Sequence, residues 1–198
     1  MRDRRSLIFF CGHAGAGKTT LARRVIRPLI EQSGRSFCLL DKDTLYGKYS
    51  SDVMRVLTGN ADDRDSSVYL QNLRDPEYRG LLDTARENLR AGVNVIVVGP
   101  LSREIRAHRL HRHDLLRIDL NVSIRIVWVF LDEQEAKRRI TARGNANDAW
   151  KLAHWDIYRH RLFQPRAEEY PELYLFDNTA PTEAQHAALL HHLLLTKD

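Results

Sequence analysis

Gly12-His13-Ala14-Gly15-Ala16-Gly17-Lys18-Thr19 constrains this chain more than any other stretch. It fits the pattern G-x-x-x-x-G-K-[ST] at every fixed position. It directly follows the apolar run Ser6 to Cys11 and directly precedes Leu21, Ala22, Val25, Ile26, Leu29 and Ile30 at helical spacing. Glycines at 12, 15 and 17 let the backbone turn tightly enough to aim several N–H groups at one anion, and the following helix adds its positive N-terminal end. The reading is a phosphate cradle formed by Gly12, His13, Ala14, Gly15, Ala16, Gly17, Lys18, Thr19 and Thr20. In it Lys18 reaches the β- and γ-phosphates of a nucleotide such as ATP, and the Thr19 hydroxyl ligates Mg2+. Thr20 is expected mainly to pack at the helix start. His13, at an unspecified position of the pattern, is expected to face solvent.

Further apolar runs continue the alternation of strand and helix. Ser36 to Leu40, Val93 to Val98, Val122 to Leu131 and Leu173 to Phe176 predict four more strands. Pro28 should kink or shorten the first helix, with Gly34 closing it. Residues 44 to 74, with Gly47 and Gly59, predict short helices with mobile connections. Asp75-Pro76 predicts an N-cap and first-turn proline for a helix whose apolar face is Tyr78, Leu81, Leu82, Ala85 and Leu89. Asp132 with Glu135, and Thr182 with Gln185, predict capping boxes, and a further helix is expected around Asp148 to Arg161. The expected fold class is α/β: a three-layer α/β/α arrangement with a five-stranded, mostly parallel sheet, as one domain over residues 1–198.

Composition narrows the setting. No apolar run approaches the roughly 20 residues needed to cross a bilayer, and no membrane partner is expected. Met1-Arg2-Asp3-Arg4-Arg5 leads straight into a strand, so a soluble, cytoplasmic protein is expected. Cys11 and Cys38 each sit in an apolar run, as buried thiols do in a reducing compartment. The formal charge of +5 suits a protein that handles polyanions.

A nucleotide cradle does not say what becomes of the phosphate; Asp41-Lys42-Asp43 supplies the acid or base for that. If the second strand runs parallel beside the first, its C-terminal end opens onto the same crevice. Alternation then puts Asp41 and Asp43 on one side and Lys42 on the other. One carboxylate can serve near Mg2+ and the other beside an acceptor hydroxyl. The other use for such a pair is an Asx turn or N-cap for a helix starting near Thr44.

A P-loop followed by a second strand ending in D-x-D resembles the small P-loop kinases of the gluconate and shikimate kinase kind. It is similar in plan to chloramphenicol phosphotransferase and the zeta-toxin sugar-nucleotide kinases. The resemblance implies ATP-dependent transfer of a phosphoryl group to a hydroxyl of a small molecule, with Asp43 as the acceptor-side base and Asp41 as the metal-side carboxylate. It implies an acceptor region at about 44–74 and a lid at about 137–160, where Arg139 and Arg143 clamp the transferring group and Gly144 permits hinge motion. It also implies that the loop Asp177 to Pro181 lies against adenine.

The third strand ends Val97-Val98-Gly99-Pro100, without the acid many P-loop proteins place there, so metal duty moves toward Thr19 and the D-x-D pair. Arg103 and Arg106 lie beyond that strand, and Arg103 is a candidate contact for an anionic acceptor. His108, His111 and His113 stand among arginines, which would repel zinc and favour a solvated basic surface. The same cluster supports one rival, a polynucleotide 5′-hydroxyl kinase with a basic track at 103 to 117, though no aromatic residues are interleaved there for stacking. A second rival is an ATP-triggered switch or binding module without phosphotransfer, which has no need of a base beside the γ-phosphate. Trp150, Trp155 and Tyr158 are read as core residues of the lid or as walls of an acceptor pocket.

Overall fold

The computed structural model describes residues 4–195. Five strands, β1 (Arg5–Cys11), β2 (Phe37–Asp41), β3 (Asn94–Val98), β4 (Val122–Phe130) and β5 (Leu173–Asp177), form one sheet in the order β2-β3-β1-β4-β5. Every neighbouring pair is parallel. The crossovers contain α1 (Lys18–Ser33), α2 (Lys42–Thr58), α3 (Ser67–Tyr69), α4 (Asp75–Arg90), α5 (Ser102–Arg106), α6 (His113–Leu116), α7 (Glu133–Arg143), α8 (Ala149–Ala153) and α9 (Trp155–Arg159), and α10 (Glu183–Leu194) follows the last strand.

Two cores sandwich the sheet. Leu21, Val25 and Leu29 of α1 and Leu189 of α10 pack on Ile8, Phe10, Val127 and Val129. Leu81, Ala85 and Leu89 of α4 and Ile105 of α5 pack on Leu7, Phe9, Val97 and Trp128. The three-layer α/β/α architecture read from the alternating pattern is therefore the observed one. A smaller cluster of Leu131, Ala136, Ile140, Trp155 and Tyr158 joins α7 and α9, so both of those aromatic residues are core residues.

Several local expectations change. β2 does not lie beside β1, because β3 is inserted between them. β3 is buried along its whole length, whereas the first three residues of β2 are only partly covered, as befits a central and an edge strand. Pro28 does not end α1, which runs on to the left-handed Gly34. Residues 42–58 form one long helix instead of short pieces, with Gly47 in its interior facing open space.

Asp75 is not an N-cap. The helix of residues 67–90 starts eight residues earlier, where the Ser66 side chain accepts from the Tyr69 N–H, and it passes through a π-turn at Leu70–Arg74 into α4. Pro76 explains the π-turn: proline carries no N–H, and in a regular α-helix its ring would strike the carbonyl four residues back, that of Asn72. Asp132 accepts from the Glu135 N–H at 2.7 Å, but the reciprocal half of that box is missing, because Thr179 Oγ1 takes the Asp132 N–H. The Thr182–Gln185 box is complete. The helix expected at 148–161 is broken at His154 into α8 and α9.

Candidate active site

Parallel strands put all their C-terminal ends on one edge, and a cavity of about 1020 Å3 opens there above β1, β2 and β3. Its nucleotide-side lining includes His13, Ala14, Gly15, Gly17, Lys18, Thr19 and Thr20. Gly12 and Ala16 serve the loop from behind. A Cβ at Gly12, where φ is 142°, would run into the Val129 carbonyl, and the Ala16 carbonyl accepts from Asn178 Nδ2 at 2.8 Å. We expect Gly12→Ala to cost about 3 kcal/mol or more in denaturant unfolding, because it adds a backbone collision to an unfavourable φ. Gly34→Ala, which meets nothing within 4 Å, should cost only about 1 kcal/mol for its left-handed backbone.

The cradle leads into an uncapped helix start. α1 has Gly17 as its N-cap, no side-chain capping bond and no acid in its first turn. The long helices α2, α7 and α10 each have a capped first turn instead. An uncapped helix start at the floor of a cleft fits an anion, and phosphate oxygens fit the N–H donors that the glycines aim there. Lys18 Nζ donates to the His13 carbonyl at 2.8 Å. Burial pushes its pKa down to about 8, against the opposing pull of Asp43, Cys11 and Asp41.

His13 does not face solvent. Its Nε2 accepts from the Phe163 N–H at 2.6 Å, with the Phe163 carbonyl 2.9 Å away, and its ring packs edge-on against Trp128. Burial pulls its pKa down to about 4, which keeps the ring neutral. A group whose native pKa lies below its unfolded value binds protons preferentially in the unfolded chain. The stabilisation by neutral His13 is therefore complete above about pH 6.5 and is lost as pH falls from there toward about 4. We expect the wild-type protein to lose about 2 kcal/mol across that window and His13→Gln to show a flatter profile, as read from urea midpoints at a series of pH values.

Opposite the cradle stands the D-x-D pair. Strand alternation does not govern it, because β2 ends at Asp41 and α2 begins at Lys42. Asp41 Oδ1 caps α2, accepting from the N–H groups of Asp43 at 2.9 Å and Thr44 at 3.1 Å, while Oδ2 accepts from Thr19 Oγ1 at 2.6 Å. The capping use and the cradle-facing use are thus made by one carboxylate, and Thr19 and Asp41 form a ready oxygen pair for a hard cation. Asp43 lies in the first turn of α2 with its side chain 84% exposed, and the cleft is open to it.

Lys42 turns inward. Its Nζ lies 3.0 Å from Oε2 of Glu77, a carboxylate only 3% exposed that also accepts from Tyr69 at 2.7 Å and from Ser50. This cluster fastens α2 to α3 and α4 and fixes the wall that carries Asp43; Lys42 and Glu77 are 35 residues apart in sequence, and no local signal announces their pairing.

The two arginines expected in a lid have different partners. Arg139 donates to Glu135 at 2.6 Å and to the carbonyls of Asn178 at 2.8 Å and Thr179 at 3.1 Å, so it braces the loop after β5 that also holds the cradle through Asn178. Arg143 lines the cleft as Arg139 does, and pairs with Asp148, its Nε 3.1 Å from Oδ2. Lys151 reaches Asp148 at 3.4 Å and Asp65 at 3.3 Å, which ties the lid to the wall formed by residues 44–74. Arg64, Tyr69, Arg74 and Tyr78 complete that wall. Gly144, expected as a hinge, is the left-handed cap of α7.

Arg103 is outside the cleft lining, 3.4 Å from Asp75 on the surface. Four other members of its basic segment are also engaged. Arg106 stacks on Phe163, His108 and His111 face Glu172, and Arg112 pairs with Asp114. No cluster of His, Cys, Asp or Glu suited to a metal ion occurs among the described residues. Cys11 and Cys38 are free thiols, and burial pushes the Cys11 pKa up. No helix among the described residues is long and apolar enough to cross a membrane.

Cradle, uncapped helix start and sheet order together define a P-loop nucleotide-binding protein of the kinase-like α/β type. The chain belongs to the family of AAA domains designated AAA_33, whose model matches residues 7–165. Solved structures share the fold at low identity. A sugar kinase from Janibacter sp. HTCC2649 is 20% identical, covers 94% of this chain and 92% of its own, and superposes with a TM-score of 0.59. The APS kinase of Mycobacterium tuberculosis, in complex with AMPPNP and APS, is 24% identical over 96% of this chain and 98% of its own, with a TM-score of 0.56. Kti12 from Chaetomium thermophilum, in complex with ADP-AlF3, is 19% identical over 94% and 96%, with a TM-score of 0.63. No curated protein matches the sequence.

Proposed function

We propose that the protein is an ATP-dependent phosphotransferase that moves the γ-phosphate of ATP to a hydroxyl of a small molecule. The observation that carries this reading is the placement of Asp43, an exposed carboxylate on the same cleft as Lys18 and the uncapped start of α1. A module that only bound or sensed nucleotide would need no carboxylate there.

Each residue has a distinct task in this scheme. The N–H groups of the cradle and of the first turn of α1 hold the β- and γ-phosphates, and Lys18 leaves the His13 carbonyl for them; the arriving anion reverses the downward pull that burial exerts on its ammonium. Thr19 and Asp41 would hold Mg2+, which when bound neutralises phosphate charge and polarises the γ-phosphoryl group. Asp43 orients the acceptor hydroxyl and accepts its proton, so that the oxygen attacks in line with the leaving β-phosphate oxygen. Arg143, freed from Asp148, stabilises the equatorial oxygens of the transferring group, while Arg139 acts through the loop Asn178–Thr179 on the nucleotide side. Wall residues 44–74 and the lid segment from Asn145 to Tyr158 enclose the acceptor.

The reading is tested by measuring ADP release with ATP and Mg2+ against a panel of hydroxyl compounds, with mass detection of the phosphorylated product. Stimulation by a small hydroxyl compound is the expected result. Stimulation by 5′-hydroxyl oligonucleotides alone would transfer the assignment to polynucleotide kinases, and acceptor-independent ADP release would leave a nucleotide switch.

A further inference from the structure

The glycines of this chain have visible reasons, with one exception. All ten lie among the described residues, and seven hold a positive φ that a side chain would strain. Two of the others are closely packed: a Cβ at Gly80 would strike the Tyr46 hydroxyl, and one at Gly99 would lie 3.4 Å from the Tyr78 ring. Gly47 has neither reason. It sits in the interior of α2 with helical backbone, and a Cβ there meets nothing within 4 Å. Glycine is, after proline, the least favourable residue for a helix interior, so the chain gives up stability at this position and gains no packing from it.

The place of Gly47 in the helix shows what the space serves. Asp43, Gly47 and Ser51 follow one another at one-turn intervals and line the cleft together. The neighbouring side chains point elsewhere: Tyr46 packs toward Gly80 of α4, Ser50 is buried on Glu77, and Tyr49 is 63% exposed. Gly47 is not a hinge. α2 runs unbroken through it, and Arg64 braces it there, its Nη2 donating to the Gly47 carbonyl at 2.7 Å and to Ser51 Oγ at 2.9 Å. The Arg64 guanidinium is held in turn against the Tyr69 ring, 5.2 Å from its centroid.

We propose that Gly47 is a specificity-determining residue of the acceptor pocket: it leaves the backbone of α2 bare one turn beyond Asp43, and the body of the acceptor lies against it. The proposal rests on the phosphotransferase reading of the cleft. One turn is about 5.4 Å. An acceptor that presents its reacting hydroxyl to Asp43 and also covers Gly47 is a ring-sized hydroxyl compound; a three-carbon triol covers that step only in part. The missing Cβ lets the ring approach the helix backbone closely. Ser51, next on the same face, accepts from Arg64 and keeps its own proton to donate to a far substituent of the ring.

The test measures Michaelis constants for ATP and for glycerol, glucose, inositol, shikimate and uridine in wild type, Gly47→Ala and Gly47→Leu, by ADP release with mass detection of the product. At least one of the four ring compounds should be phosphorylated. Gly47→Leu should raise its Michaelis constant at least about tenfold and Gly47→Ala severalfold, with kcat changed less and the constant for ATP unchanged. Gly47→Ala should also melt about 2 to 4 °C above wild type, because alanine favours the helix. A weaker acceptor pocket in a more stable protein is the result that a merely structural glycine would not give. Should the leucine variant not fold, the alanine variant carries the comparison. Equal Michaelis constants for the ring compounds in wild type and variants, or transfer to glycerol alone, overturn the proposal and leave the phosphotransferase reading standing. Transfer to 5′-hydroxyl oligonucleotides only, or ADP release that no compound stimulates, overturns that reading and this proposal with it.

Discussion

Asp43→Asn should lower the rate of phosphoryl transfer by about 10^2 to 10^4-fold while leaving ATP affinity nearly unchanged. The range is that expected for removal of a general base. Asparagine matches the shape of aspartate but cannot take the acceptor's proton. Asp43 is exposed and its side chain pairs with Lys42 at 3.4 Å, so the substitution disturbs little packing. Single-turnover transfer and ATP binding, measured separately, decide it. A variant that binds ATP and transfers at the wild-type rate would remove Asp43 from the chemistry.

Asp41→Asn should produce a different loss. The asparagine oxygen can still cap α2, so the fold should hold, but the charge facing Thr19 disappears. Transfer should fall by about 10- to 100-fold, and the Mg2+ concentration for half-maximal rate should rise. Asp43→Asn, by contrast, should leave the Mg2+ requirement where it is. Titrating Mg2+ for both variants separates the two carboxylates, and identical Mg2+ curves would mean that Asp41 serves only as a helix cap. Asp41→Ala should additionally cost about 1 kcal/mol of stability through loss of that cap.

The cradle was legible in the sequence because its determinants are local: glycines for positive φ, an apolar run before them and helical spacing after them. Gly12, Gly15 and Gly17 do hold φ values of 142°, 77° and 84°. The strand order was not legible, because nothing in Phe37–Asp41 names its neighbour. The available hint was composition. Val93 to Val98 is rich in β-branched residues on both faces, as a central strand requires, and Ser36 to Leu40 is not. The insertion of β3 left the aspartates close to the cradle nonetheless, since Thr19 extends from α1 to meet Asp41 across the sheet's edge.

Side-chain partnerships between distant segments were the other hidden part. His13 is an unspecified residue of the motif whose partner is 150 positions away, and Lys42, read as the outward member of D-x-D, is drawn in by Glu77. The arginines of α7 were visible as a cluster, and both Arg139 and Arg143 line the cleft, but their partners Glu135 and Asp148 were not visible.

The π-turn at Leu70–Arg74 gives this architecture an unusual degree of freedom. It is one residue wider than an α-turn, so it sets the angular phase between α4, which is anchored on the sheet, and α3 with the Arg64–Tyr69 wall before it. Deleting a single residue there would rotate that wall by about 100° and carry Tyr69 away from Glu77. The wall proposed to meet the acceptor can therefore be re-faced by an insertion or a deletion, without altering any residue of the glycine-rich loop after β1.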